Sequence, residues 1–303
     1  EPTTKQTLTF LLRRFREAGI RPRTDFGQNF LIDINLQHVL LDAAAVGPDD
    51  VVLEIGTGTG GLTMLLAPRA AAVVTVEVDR HLFQLAHEEL YGLANVTMLQ
   101  TDALAGKHQI SPAVLEAVDA QLRAAPGRHF KLVANLPYNV ATPVLSNLLA
   151  LERPPETMTV TIQKEVADRI VARPGTKNYG AVAIWVQSQC RAEIVRVLGP
   201  SVFWPRPKVS SAFLRLTLDE GLRGRIPDRA YFHDFVRGVF LHRRKLLRSG
   251  LVARQNNLTK ADADRLLAAL GFPPTVRAEE IAPDRRRKAE GGSTPVQSLI
   301  PNP

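Results

Sequence analysis

The chain has 303 residues, 45% hydrophobic and 22% charged, which fits a soluble globular protein with one large domain and a smaller one. One cysteine, Cys190, excludes an internal disulfide, and seven scattered histidines give no cluster with zinc-ligand spacing, so no metal is expected. A formal net charge of +8 points to a polyanionic partner.

No apolar run approaches the roughly 20 residues of a membrane span. The start "EPTTKQTLTFLLRRF" lacks the apolar stretch and cleavage site of a signal peptide, so a reducing, cytoplasmic location is expected. Arg13, Arg14, Arg16, Arg21 and Arg23 crowd the segment before "FGQNFL" (26–31). Next comes a βαβ alternation. "VVLEI" (51–55) reads as a buried strand, followed by a Gly-rich turn and a helical "GLTMLLAPRA". "AVVTVEVD" (72–79) and "NVTMLQTD" (95–102) are further strands, separated by the helical "RHLFQLAHEEL".

Residues 104–130 form a longer connection, expected to be a surface insertion, in which Ser111 and Pro112 cap an amphipathic helix. "FKLVAN" (130–135) is a fourth strand, "TPVLSNLLAL" a helix and "TMTVTIQ" (157–163) a fifth strand. After a helix over "YGAVAIWVQSQC", the segments "EIVRVLG" and "SAFLRLTL" (211–218) predict an antiparallel finish to the sheet. This pattern predicts a doubly wound α/β domain over 1–219. Residues 220–282 read as a small helical domain and 283–303 as an irregular, flexible tail.

"EIGTGTGGLT" follows the first strand and opens a helix; Gly56, Gly58 and Gly61 satisfy G-x-G-x-x-G, and Glu77 ends the next strand, where an acid can bind ribose hydroxyls. Taken alone, this fits an adenosine-type cofactor of any kind, NAD included. Asp102 ends the third strand and can accept from an adenine amino group, or simply cap a helix. Glu54 can orient the glycine loop or reach a cofactor ammonium. Asn135 ends the fourth strand, which should neighbour the first and so face the ligand crevice.

"FGQNFL", "EIGTGTG", "VEVDR" (76–80), "TDA" (101–103), "NLPYNVATP" (135–143), "QKEVADRI" (163–170), "FWPRPKVSSA" (203–212) and "HRRKLLR" (242–248) together resemble the ribosomal RNA adenine dimethyltransferases over about residues 10–281. The resemblance is greatest to the bacterial members that dimethylate adenosines near the 3′ end of small-subunit ribosomal RNA. It implies a Rossmann-like class I methyltransferase sheet of seven strands, mostly parallel with the last antiparallel. It also implies S-adenosylmethionine as methyl donor, bound by residues matching Gln28, Asn29, Leu31, Glu54, Gly56, Gly58, Glu77, Asp102, Ala103 and Asn135. The partner implied is small-subunit RNA in an assembling subunit, met by a monomer. The sequence departs from the pattern at Thr57, where many relatives have proline, in the length of 104–130, and in the tail.

Adenine N6 is a poor nucleophile because its lone pair is delocalised into the ring. Two acceptors on its N–H bonds favour a pyramidal nitrogen; Asn135 Oδ1 can be one and the Leu136 carbonyl the other. Pro137 fixes φ and biases Leu136 away from the helical region. Tyr138 offers a ring face to an extruded base, its hydroxyl being given no part, and Phe203 matches the position of a second aromatic. Arg243, Arg244, Lys245 and Arg248 read as one basic helix for phosphate contacts. Three other readings stay open: a large-subunit adenosine methyltransferase of the antibiotic-resistance type or a DNA adenine enzyme; a non-catalytic ribosome-assembly or transcription factor; and, more remotely, an NAD dehydrogenase.

Overall fold

The computed structural model describes residues 8–23, 27–107, 109–241, 245–254 and 258–282. Its organising feature is a run of short apolar strands. In chain order the elements begin with α1 (Leu8–Glu17), β1 (Phe30–Leu31), α2 (Ile34–Ala44), β2 (Asp50–Ile55), α3 (Gly61–Leu66), β3 (Ala72–Glu77), α4 (Arg80–Glu89) and β4 (Val96–Gln100). Then come α5 (Pro112–Arg123), β5 (His129–Asn135), α6 (Ala141–Ala150), β6 (Thr157–Gln163), α7 (Lys164–Ile170), α8 (Ala181–Gln187), β7 (Cys190–Leu198), β8 (Phe203–Trp204) and β9 (Ser211–Leu218). The chain continues through α9 (Glu220–Arg223), α10 (Arg229–Phe240), α11 (Leu247–Arg254) and α12 (Lys260–Ala269).

Among the described residues, seven strands form one sheet in the order β4-β3-β2-β5-β6-β9-β7. Pairings from β4 through β6 are parallel, and β9 runs antiparallel to β6. Every residue of β2 and β3 is buried, as expected for central parallel strands covered on both faces. Because β2 lies between β3 and β5, the connections leave it in opposite directions and open a crevice at its carboxyl end.

Two compact units are present, one from 1–167 with 193–217, the other from 168–192 with 218–303. In the first, α2 and α3 cover one sheet face, with Leu36, Leu40, Leu41, Val52, Leu66, Val73, Val133 and Phe213 in a common core. The N-terminal elements, not foreseen in the sequence, close around a second apolar cluster. There β1 pairs antiparallel with β8, matching Phe30 with Trp204 and Leu31 with Phe203. Phe15 of α1 meets the rings of Phe30 and Trp204 edge-on, with centroids 5.3 and 5.1 Å away.

The expected surface insertion is instead the crossover helix of the sheet. α5 starts with Pro112 at its first turn, as the sequence indicated, but buries Val114 and Val118 and packs on β2 and β3. A parallel β4-to-β5 connection requires such a helix. In the second unit α8, α11 and α10 pack together, α12 begins with a capping box at Thr259 and Asp262, and the Tyr179 hydroxyl donates to the Ile281 carbonyl at 2.7 Å. Residues 168–192, assigned by the sequence to the first domain, group here with the C-terminal helices because α8 carries Trp185 against Phe232 of α10. The end of the expected helical domain holds only a 3-10 turn at Ala278–Glu280, and the tail from 283 lies outside the described residues.

Val118→Asp separates the two views of α5. On a surface helix it would change stability by no more than about 0.5 kcal/mol. Here it buries an unpaired carboxyl, and urea denaturation should show a loss of about 3 kcal/mol or more.

Candidate active site

β2 ends at Ile55, and the backbone that follows turns through left-handed conformations at Gly56, Gly58 and Gly60, with φ of 87°, 58° and 81°. A Cβ would also crowd two of them, lying 3.1 Å from the Phe30 ring at Gly58 and 3.2 Å from Leu90 at Gly60, whereas at Gly56 it would make an ordinary 3.4 Å contact with the Pro137 ring. The third structural glycine is therefore Gly60; Gly61, which completed the sequence pattern, is the first residue of α3. Thr57 fits without proline because its N–H donates to the Val76 carbonyl at 3.2 Å and its hydroxyl lies 2.6 Å from that of Thr75.

Two buried glutamates stand behind this turn. Glu54 Oε2 accepts from the Thr63 hydroxyl at 2.5 Å and the Thr75 hydroxyl at 2.7 Å. Burial pushes its carboxyl up to about 8, against the lowering effect of both hydroxyls. Glu77 accepts at one oxygen from Gly58 N–H and at the other from Asp79 N–H, both at 2.9 Å. Burial also raises the Glu77 carboxyl, while these backbone bonds oppose the rise. Asp102 is exposed past the end of β4, and its Oδ1 accepts from Leu104 N–H at 2.9 Å.

The turn at 27–31 reaches these groups from the N-terminal side. Gln28 accepts from Arg23 N–H at 2.7 Å and donates to Asp79 at 3.5 Å, while Gln37 donates to the Leu31 carbonyl at 2.7 Å. Asn135 Nδ2 donates to the Asn29 carbonyl at 2.8 Å. A carbonyl can only accept, so this bond fixes which end of the amide is nitrogen and leaves Oδ1 as the free-facing acceptor. Gly27 adds a backbone contact, since a Cβ there would sit 3.2 Å from Tyr138 N.

A cavity of about 260 Å³ collects Gln28, Asn29, Leu31, Glu54, Gly56, Gly58, Glu77, Asp102, Ala103, Asn135 and Pro137 in its walls. The sequence reading missed Val78, Leu104 and Asn139, which also line it. Val78 and Leu104 directly follow Glu77 and the Asp102-Ala103 pair, and an apolar residue beside a polar anchor is the available signal for a base-sandwiching wall. Leu136, Tyr138 and Phe203 do not line this cavity. Leu136 is buried with its N–H on the Thr161 carbonyl at 3.2 Å. Tyr138 is half-buried, and its hydroxyl has a partner in Ser211 Oγ at 2.6 Å. Phe203 is 3% exposed within the core beneath α2, because its pairing with Leu31 turns it inward, so it offers no open face to a base.

With this geometry the chain can be compared with known proteins. Residues 19–268 match the family model described as ribosomal RNA adenine dimethylase. The chain belongs to that family. It is 38% identical over 266 residues to a ribosomal RNA small subunit methyltransferase A of Pediococcus pentosaceus, covering 87% of this chain and 86% of the relative. It is 39% identical over 269 residues to the protein of that name from Lactiplantibacillus plantarum, covering 88% of each. Among solved structures, a dimethyladenosine transferase from Plasmodium falciparum shares the fold with a TM-score of 0.66 at 22% identity, over 82% of this chain and 91% of that one.

S-adenosylmethionine is the methyl donor of this adenine dimethylase, and the residues present fit it. Glu77 accepts a backbone N–H at each oxygen, and a carboxylate oxygen can accept a second bond, which leaves capacity for a hydroxyl such as a ribose carries. Gly56 and Gly58 leave the cavity wall bare of side chains, and Val78 and Leu104 give it apolar faces.

The described basic residues of the 242–248 segment, Lys245 and Arg248, do not lie on one helix. Arg243 and Arg244 lie outside the described residues. Lys245 is exposed and precedes α11, which starts only at Leu247, because Leu246 bridges to Arg277 and Leu247 N–H donates to the Val276 carbonyl at 2.8 Å. Arg248 is an ion-pair partner of Asp264 in α12, at 3.0 Å, rather than a free cation. In α1, Arg14 is likewise committed to Glu88 and Glu89 at 3.2 and 2.9 Å.

Glu54 sets a pH dependence of stability. Its folded-state value of about 8 stands above the ordinary 4.5, so between these the folded protein holds a proton that the unfolded chain lacks. Stability is full below the lower value and falls as pH rises through the window, by up to roughly 1.4 kcal/mol per unit. Glu54→Gln should remove that slope. Urea denaturation of both proteins at pH 5, 6.5 and 8 checks it: parallel wild-type and mutant curves would show that Glu54 is already ionised.

Proposed function

We propose that this chain transfers methyl groups from S-adenosylmethionine to the exocyclic N6 of adenosines in small-subunit ribosomal RNA, dimethylating adjacent adenosines near its 3′ end. The observation that carries the reading is the Asn135 amide, whose Nδ2 is taken by the Asn29 carbonyl, leaving Oδ1 as the acceptor end of a side chain that lines one cavity with the glycine turn, Glu77 and Asp102. The names of the two bacterial relatives support the small subunit as the RNA source. The substrate proposed is an assembling subunit, the acting form a monomer, and the location the cytoplasm. No helix among the described residues is long and apolar enough to cross a membrane.

S-adenosylmethionine supplies a methyl group on a positively charged sulfur. We assign its ribose to Glu77, its adenine to Asp102 and Ala103 between Val78 and Leu104, and its amino-acid end to Gln28, Asn29, Leu31, Glu54, Gly56 and Gly58. Asn135 Oδ1 and the Leu136 carbonyl accept the two N6 protons of the target and aim the nitrogen lone pair into the cavity. Pro137 holds that carbonyl in place, and Tyr138 stacks on the base. No general base on the protein is invoked, since the proton lost from N6 can pass to water once the nitrogen is alkylated. Catalysis is then positioning plus preorganised acceptors. The helical segment over 220–282 is assigned to RNA docking.

Mapping dimethyladenosine in ribosomal RNA of cells with and without the protein tests the reading; unchanged dimethylation at all small-subunit positions would overturn it. Asn135→Ala should fold and bind RNA but lose methyl transfer by about 10² or more in single-turnover assays. The two described cations of the basic segment should separate. Lys245→Glu should weaken binding to small-subunit particles and make the salt dependence shallower by about 0.7 to 0.9 per lost phosphate contact. Arg248→Ala should instead lower the melting temperature, because it strands Asp264, with the salt slope unchanged.

A further inference from the structure

We propose that Ser211 is a positioning residue for base capture, acting by pinning the Tyr138 hydroxyl so that the ring presents one fixed face to the extruded adenine. This rests on the assignment of Tyr138 as the stacking platform. The backbone end of Tyr138 is confined by Pro137 before it and by the Gly27 backbone, so near that a Cβ there would lie 3.2 Å from Tyr138 N. The far end of the ring is held by Ser211 Oγ at 2.6 Å. A half-buried ring on a turn would otherwise be free to change rotamer. Held at both ends, it cannot.

The anchor is rigid. Ser211 is 0% exposed and opens β9, where it pairs with Gln163 in the antiparallel ladder to β6. Lys164 N–H donates to the neighbouring Ser210 carbonyl at 3.0 Å, fixing the same corner. A buried hydroxyl costs free energy unless it is hydrogen-bonded. The Ser211 hydroxyl and that of Tyr138 satisfy each other, so the pair supplies direction, and an entirely apolar pair would supply packing alone. A base gains about 1 to 3 kcal/mol from stacking on an aromatic, and a ring already in place loses no rotamer freedom when the base arrives.

Removing one partner of a buried hydrogen bond strands the other, whereas removing both can be nearly neutral. This separates a positioning role from a structural one. Ser211→Ala and Tyr138→Phe should each lower the melting temperature, and the double variant should recover it. Capture of the base should not recover. Each single variant should lower kcat/KM on unmethylated small-subunit particles three- to tenfold, mainly through KM, with S-adenosylmethionine affinity held, and the double variant should match the worse single. A double variant that regains both stability and KM, or singles whose KM values stay at wild type, would overturn the proposal.

A substrate-free readout keeps this apart from the functional reading. With four tyrosines in the chain, the Tyr138 ring signals can be assigned by substitution in ring-labelled protein. Ser211→Ala should lower the order of the Tyr138 ring in the apo protein. A ring equally ordered in both proteins defeats the proposal whatever the activity. A freed ring in an enzyme whose wild type methylates no small-subunit RNA would leave the positioning role standing and remove the substrate.

Discussion

The hydrogen bond from Asn135 Nδ2 to the Asn29 carbonyl, 2.8 Å long, joins residues 106 apart in sequence and decides the geometry of the whole site. A strand-end asparagine left to itself can turn its amide either way at little cost. One carbonyl removes that freedom, because it can pair with nitrogen only. The turn at 27–31 is in turn held by Gln37 on Leu31 and by the β1–β8 ribbon. Orientation at the reacting centre thus depends on elements that contribute no chemistry of their own.

The carboxylates show how the surroundings divide roles between like groups. Glu54 and Glu77 are both buried and both shifted upward by lost solvation; the charge of Glu77 adds to the rise at Glu54, and that of Asp79 to the rise at Glu77. Glu54 has hydroxyl partners, which can turn to donate or accept and so tolerate either protonation state. Glu77 has two backbone N–H donors, which can only donate and so favour the anion. One glutamate is suited to a proton that comes and goes; the other is suited to holding the glycine turn as an anion that still has acceptor capacity facing the cavity.

Much of this was legible in the sequence where a single physical cause acts locally. β2 and β3 show as mostly apolar runs because their strands are covered on both faces, and β6 as apolar residues alternating with threonine. β1 and β8 have two residues each, too short for any periodicity, and exist because Phe15, Phe30 and Trp204 pack together. "HRRKLLR" carries a helix-like charge run, yet Leu246 is taken by a bridge to Arg277, a contact 31 positions away that no local pattern encodes. The site residues came through their motifs. Gly60 was hidden by its neighbour Gly61, because only the approach of Leu90 tells which of two adjacent glycines must lack a side chain. Phe203 looked like a free aromatic because its register opposite Leu31, which buries it, is set by tertiary pairing.

The two turns that meet here also tie cofactor and base together. Asn29 and Asn135 share one hydrogen bond, a Cβ at Gly56 would meet the Pro137 ring at 3.4 Å, and a Cβ at Gly27 would meet Tyr138 N at 3.2 Å. The glycine turn and the 27–31 turn therefore both run close to the 135–138 turn, with room for no more than a glycine at the nearest point. An interior packed this closely does not let one wall shift by a few tenths of an ångström without the other. Ordering the glycine turn around a ligand would press on Pro137, and Pro137 carries the Leu136 carbonyl on one side and the Tyr138 ring on the other. Asn135, Pro137 and Tyr138 thus share one short turn with the glycine loop packed beside it, so a ligand that orders one side of the cavity would also constrain the other.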